Sequence, residues 1–194
     1  MKIAAALLGA GLLLTACGNP PAPAPPAQSP GPSPIGTVTS APTADPAAVR
    51  WMDGLCSAVH GYRERTNREV QPGQPTPKSV AEAQKAISAT LAGIEARTGE
   101  AVAKLTALPP APVPLGDTVR QALITKFTKA HDRAAEAKAT LDRAKPGNEA
   151  SQVPAAEAVT QAQQEVDGTY DPVGAVSSSP ELVLAAATAP GCKG

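Results

Sequence analysis

Aromatic side chains are scarce: one Trp, one Phe and two Tyr serve 194 residues. Sites that read nucleotides or single strands stack bases on aromatic faces, so four scattered rings argue against such a role. Net charge is missing too, with 17 basic residues against 17 acidic ones. Without interleaved aromatics and basic residues, nucleic acid is not an expected partner. No HExxH, GxSxG, phosphate-cradling glycine loop or calcium-loop pattern occurs. The carboxylates stand at ion-pair spacings, with no isolated apolar pair suited to acid–base work. No segment alternates β-branched and polar residues as a strand would. The apolar run Ile3–Leu14 ends after 12 residues, short of the about 20 that a membrane-spanning helix needs.

What is present begins with that run. Lys2 precedes it, and Leu14-Thr15-Ala16-Cys17-Gly18 follows its last residues. This arrangement is that of a signal segment with a cysteine at its cleavage point. It resembles the lipobox of bacterial lipoproteins, over residues 1–18. The resemblance implies that residues 1–16 are removed and that Cys17 carries a diacylglyceryl thioether, often with an acylated amine. Two or more chains give stable attachment, because each buried methylene adds ~0.8 kcal/mol. The expected location is the outer side of a bacterial membrane. The competing expectation is an ordinary signal peptide cut near Ala16, leaving a free secreted protein.

Behind the anchor, residues 18–46 hold ten of the 22 prolines, one charge (Asp45) and no aromatic residue. Such a segment cannot bury enough apolar surface to offset the cost of ordering, so residues 17–45 read as a tether. Proline keeps it extended at ~3.1 Å per residue, a reach on the order of 80 Å. Pro20, Pro23 and Pro26 have the spacing of a Pro-rich recognition segment. No Lys or Arg flanks them to orient a ligand, which favours the spacer.

Residues 46–194 make one domain's worth of chain. Asp45-Pro46, Thr76-Pro77 and Ser179-Pro180 read as helix starts, with Ser178 and Glu181 at capping-box spacing. Breakers at 71–77, 109–114, 145–154 and 171–180 divide the rest into helices near 46–70, 77–108, 115–144, 154–170 and 180–189. Each of the first four carries one apolar stripe. In the second it runs Val80, Ile87, Leu91, Ile94, Ala101, Leu105 and Leu108, with Gln84 and Thr98 as polar exceptions. In the third it runs from Leu115 through Leu123, Phe127 and Ala134 to Leu141. Helices two and three, ~40–50 Å long at 1.5 Å per residue, should pack antiparallel across the Pro109–Pro114 turn. The expected fold is all-α: a mostly up-and-down bundle of four main helices plus a short C-terminal helix, with a thin, alanine-rich core.

The chain has three cysteines. If Cys17 goes to lipid, Cys56 and Cys192 remain, and an even pair outside the cytoplasm should be oxidised. Beyond the lipobox, the layout resembles small proline-stalked lipoproteins of actinobacteria-like bacteria. The shared elements are Trp51, Leu55 and Cys56 in a Trp-x3-Leu-Cys arrangement, an alanine-rich helical pair, and the late Cys192. That resemblance implies no catalytic residue and no cofactor.

Several residues stand out as candidates. His60 follows Cys56 by one turn, as a nucleophile–base dyad or half a metal site would require. Against this stand the disulfide for Cys56, a surface position for His60, and the lack of a third metal ligand nearby. His131, beside Asp132, reads as solvated. Trp51 and Tyr62 are either core plugs or the apolar anchors of a partner surface. Lys126, Lys129 and Arg133 line one face of the third helix, and Arg63, Arg65 and Arg68 cluster on the first. They offer a surface to anionic wall polymers or lipid head groups, or a bed for the acidic C-terminal helices. Residues 50–145 carry 15 cations against 10 acids, and residues 146–194 one cation against six acids. Acids interrupt both clusters, and Glu64–Arg68, Arg65–Glu69 and Glu100–Lys104 have helical ion-pair spacing, which favours a solvated face. The expected role is non-enzymatic binding or scaffolding in the envelope, alternatively carriage or sensing of a small hydrophobic ligand in the bundle.

Overall fold

A computed structural model describes residues 42–69 and 76–193. The expected signal segment, Cys17 and the tether through residue 41 lie outside the described residues, as do residues 70–75. Every regular element described is helical: α1 (Pro46–Glu69), α2 (Val80–Thr106), α3 (Pro114–Arg143), α4 (Glu149–Glu165), α5 (Pro172–Ala175), α6 (Pro180–Thr188) and a closing 3-10 turn, Pro190–Cys192.

Local chemistry sets the ends. The Ala47 amide donates to Asp45 Oδ1 at 2.9 Å, so Asp45 caps α1 as expected. The cap of α2 is Ser79, not Thr76. Ser79 Oγ accepts from the Glu82 amide at 3.2 Å, and Glu82 Oε2 accepts from the Lys78 amide at 2.7 Å. Ser79 has an acid three residues on, and Thr76 does not. For α6 the cap is likewise Ser179, accepting from Leu182, rather than Ser178. Helix α4 begins five residues before the expected start and carries Pro154 inside it. The proline removes one bond of the helical ladder, and Gln152 ties this start to α2 by donating from Nε2 to the Val80 carbonyl at 2.8 Å. The segment read as a breaker at 171–180 contains α5, a single turn capped by Asp171. One turn is too short to show periodicity.

Cross-helix pairs fix the topology. Gln84 meets the end of α3, Arg65 and Glu69 meet Glu100 and Arg97 of α2, and Arg133 of α3 meets Gln161 and Glu165 of α4. Each neighbouring pair among α1 to α4 therefore runs antiparallel, the expected up-and-down order. Helix α1 is buried on more than one stripe, because α6 and the 3-10 turn pack on it as well as α2. The disulfide Cys56–Cys192 joins the 3-10 turn to α1, with Cα atoms 5.0 Å apart. Gly191 makes that approach feasible: its amide donates to Asp53 Oδ1 at 2.6 Å, and a Cβ there would lie 2.6 Å from the Asp53 carbonyl.

The two polar exceptions on the α2 stripe have distinct reasons. Thr98 Oγ1 donates to the Ile94 carbonyl at 2.7 Å and so satisfies itself within the helix. Gln84 is buried and works between elements. Its Nε2 donates to the Leu141 carbonyl at 3.1 Å, and its Oε1 accepts from the Gly147 amide at 2.9 Å. It thereby closes the α3–α4 turn, where Gly147 takes φ +80°. Gln84→Leu should lower unfolding free energy by about 1–3 kcal/mol, because a buried amide and a carbonyl lose their partners. Urea unfolding followed by circular dichroism measures this; an unchanged midpoint would refute the role given to Gln84.

Candidate ligand-binding cleft

The last described residue of α1, Glu69, lies at the level of Gly93 of α2. A cleft of about 880 Å³ opens there, floored by Ala86, Ala89, Thr90 and Ile94 of α2. The end of α1 supplies Tyr62, Thr66 and Glu69 to one wall, and Ala162, Gln163, Asp167 and Tyr170 form the other. Small residues on α2 keep the floor low, and the volume falls within the range of small-molecule sites, ~300–1,000 Å³.

Two features give the cleft chemical character. Tyr62 and Tyr170 lie nearly parallel, with ring centroids 6.3 Å apart and planes 25° apart. Tyr62 also meets Phe127 edge-on, with centroids 4.9 Å apart, which anchors it to the core. Beside them stands Arg97, only 6 % exposed. Its Nη1 pairs with Glu69, and its Nε is sealed from solvent without a partner among the described residues. Burial is the main cause of the lowered Arg97 pKa. Burial also raises the Tyr170 pKa, reinforced by Tyr62 and Asp167. The site therefore offers one desolvated cation and a flat apolar wall, which suits binding.

A second cleft, of about 370 Å³, lies over the α2–α3 seam. There Ser88 Oγ donates to Asp142 Oδ1 at 2.6 Å, and Lys138 Nζ donates to Asp142 Oδ2 at 2.6 Å. Lys138 and Ser88 hold the Asp142 carboxyl below its ordinary pKa. A carboxylate so satisfied is a poor base, and the trio braces two helices.

The residues singled out from sequence fall in three places. Trp51 and Tyr62 are 2 % and 4 % exposed, so they do not form a partner surface. The Trp51 ring covers Gly116, and its Nε1 donates to the Pro109 carbonyl at 3.2 Å, plugging the α2–α3 turn. Lys126 and Arg133 bind the C-terminal end of α4. Lys126 Nζ donates to the Asp167 carbonyl at 2.8 Å, while Arg133 bonds Gln161 at 2.7 Å and Glu165 at 3.1 Å. Lys129 stays exposed, in a shallow groove with Asp132 and Glu136. This part of the basic face is a bed for the acidic C-terminal segment. On α1 the expected Arg65–Glu69 pair is replaced by two pairs across to α2, Arg65–Glu100 and Glu69–Arg97. Glu100–Lys104 forms as expected, at 2.8 Å.

Cys56 is oxidised with Cys192 and cannot serve as a thiol nucleophile. His60 is buried rather than at the surface, because α1 is wrapped on more than one side. His131 bonds its neighbour Asp132 at 2.9 Å on the exposed side of α3. Among the described residues no group of three His, Cys, Asp or Glu could hold a metal ion. Among them, too, no helix is long and apolar enough to cross a membrane.

Arg97 and Gly93 escaped the sequence reading, and Glu69 entered it only as a partner of Arg65. One signal was there: Gly93 and Arg97 stand four apart within an alanine-rich helix, on the edge of the Ile94–Ala101 stripe. No family model, curated protein or solved structure matches this chain.

Proposed function

We propose that this chain is a lipid-anchored envelope lipoprotein whose helical domain is a non-enzymatic carrier or sensor of a small ligand. The cleft holding Arg97, Tyr62 and Tyr170 carries the reading. A buried guanidinium beside an open volume with two aromatic walls is suited to ligand capture. A scaffold that docked protein partners would instead be expected to present an apolar stripe. Among the described residues the exposed large apolar side chains are Val80, Val153 and Val183, on three different helices. The lipobox-like Leu14–Cys17 supports membrane attachment through Cys17, and the Pro-rich tether would hold the domain away from the bilayer.

Two measurements test this. Mass spectrometry of the protein from its native membrane should give an N-terminal Cys17 carrying diacylglycerol, with an additional small molecule retained under native conditions. A detergent-free protein beginning at an unmodified residue would remove the anchor. Cys17→Ser should abolish lipid incorporation entirely, and labelling of that variant with radioactive fatty acid would refute Cys17 as the attachment point.

A further inference from the structure

The Arg97–Glu69 pair is built like a seat for an anion with a replaceable occupant. The seat itself is a gap over bare backbone. A Cβ at Gly93 would lie 2.6 Å from Glu69 Oε2 and 2.9 Å from Arg97 Nη1, so an alanine there would intrude on the carboxylate. Glycine inside a helix weakens it, and here that weakness coincides with space for an oxyanion.

The occupant is poorly placed. Glu69 is the last described residue of α1. Its side chain is 49 % exposed, against 7 % for that of Arg97. Water can therefore receive Glu69 readily, while Arg97 needs an anion wherever Glu69 goes. The seat opens on the cleft beside Tyr62 and Ile94.

Resting on the carrier reading above, we infer that the cleft takes an amphiphilic organic monoanion whose carboxylate or phosphodiester displaces Glu69 from Arg97 over Gly93. The apolar body of the ligand lies along Tyr170 and the floor of Ala86, Ala89 and Thr90. Asp167, on the opposite wall, sets the charge of the ligand. With Glu69 swung into solvent, Arg97 meets one ligand charge, and the second charge of a dianion would face the Asp167 carboxylate in the same cleft. Glu69 acts as an internal competitor, and its displacement sets the affinity.

The test is calorimetric titration of the full lipidated chain, in a non-ionic detergent, with benzoate, methyl phenyl phosphate and neutral benzamide. Glu69→Gln should bind the two anions about tenfold more tightly than wild type, within the ordinary range of coupling between competing groups. Benzamide should show no such gain. The stronger of the two anions identifies the headgroup as carboxylate or phosphodiester. Gly93→Ala in the Glu69→Gln background should cancel the gain, and Arg97→Lys should retain part of what Arg97→Gln loses. Thermal melting by circular dichroism confirms that each variant is folded. Equal binding of benzamide and benzoate, unchanged by Glu69→Gln, would overturn the anion seat and leave the carrier reading standing. Absence of binding by all three probes, with no molecule retained in the native protein, would overturn both.

Discussion

Cys56→Ala is expected to remove most of the stability of the domain. The bond it abolishes links residues 136 apart in sequence, nearly the whole folded segment. Closing a loop of that length constrains the unfolded chain by on the order of 5 kcal/mol in the chain-entropy model. Natural domains have only ~5–15 kcal/mol in all. This core has little to spare, since among the described residues 11 of the 26 buried apolar ones are alanine. Without the bond, the Gly191–Asp53 hydrogen bond and the packing of the 3-10 turn on α1 remain. At ~2–4 °C per kcal/mol for a domain of this size, the melting temperature should fall by at least about 10 °C. Cys192→Ala should match it, and the double variant should be no worse than either single one. Melting within a few degrees of wild type would show that the loop closure contributes little.

Trp51→Ala comes next, with an expected loss of about 3–5 kcal/mol. Trp51 is the largest of the fully buried side chains. It fills the space above Gly116, where a Cβ would stand 3.0 Å from its ring, and its indole donates to the Pro109 carbonyl. Removing it leaves a void between α1 and α3 that rigid helices cannot close. It also frees one anchor of the Pro109–Pro114 turn, leaving the bonds from Arg120 to Leu108 and Pro109 and from Ala111 to Asp117. Trp51→Phe, which keeps much of the volume and loses the donor, should cost less than half as much. Denaturant unfolding of the three forms measures this, and a Trp51→Ala loss below about 1 kcal/mol would place the ring outside the core.

The clearest sequence signals were the long ones. The stripes of α2 and α3 repeat over seven or more turns, and their antiparallel pairing followed from the stiff link between them. Short elements gave no such signal: α5 is a single turn, and Pro154 made the start of α4 look like a breaker. Charges misled for another reason. Arg65 and Glu69 have the spacing of a helical pair, yet each found a partner on α2 once the helices met. Trp51 and Tyr62 could be read as surface anchors only while the second covering of α1 was unknown.

Periodicity, capping chemistry and cysteine count are properties of neighbours along the chain, so the all-α class, the helix order and the Cys56–Cys192 bond were open to reading without coordinates. The cleft is not of that kind. Glu69, Gly93, Arg97 and Tyr170 spread over a stretch in which the first and last stand 101 positions apart. Only the packing of α1, α2 and the end of α4 decides that a guanidinium is buried there, that a glycine leaves room beneath its counterion, and that two tyrosines face each other. Those relations depend on the packing of whole helices, and no local pattern encodes them.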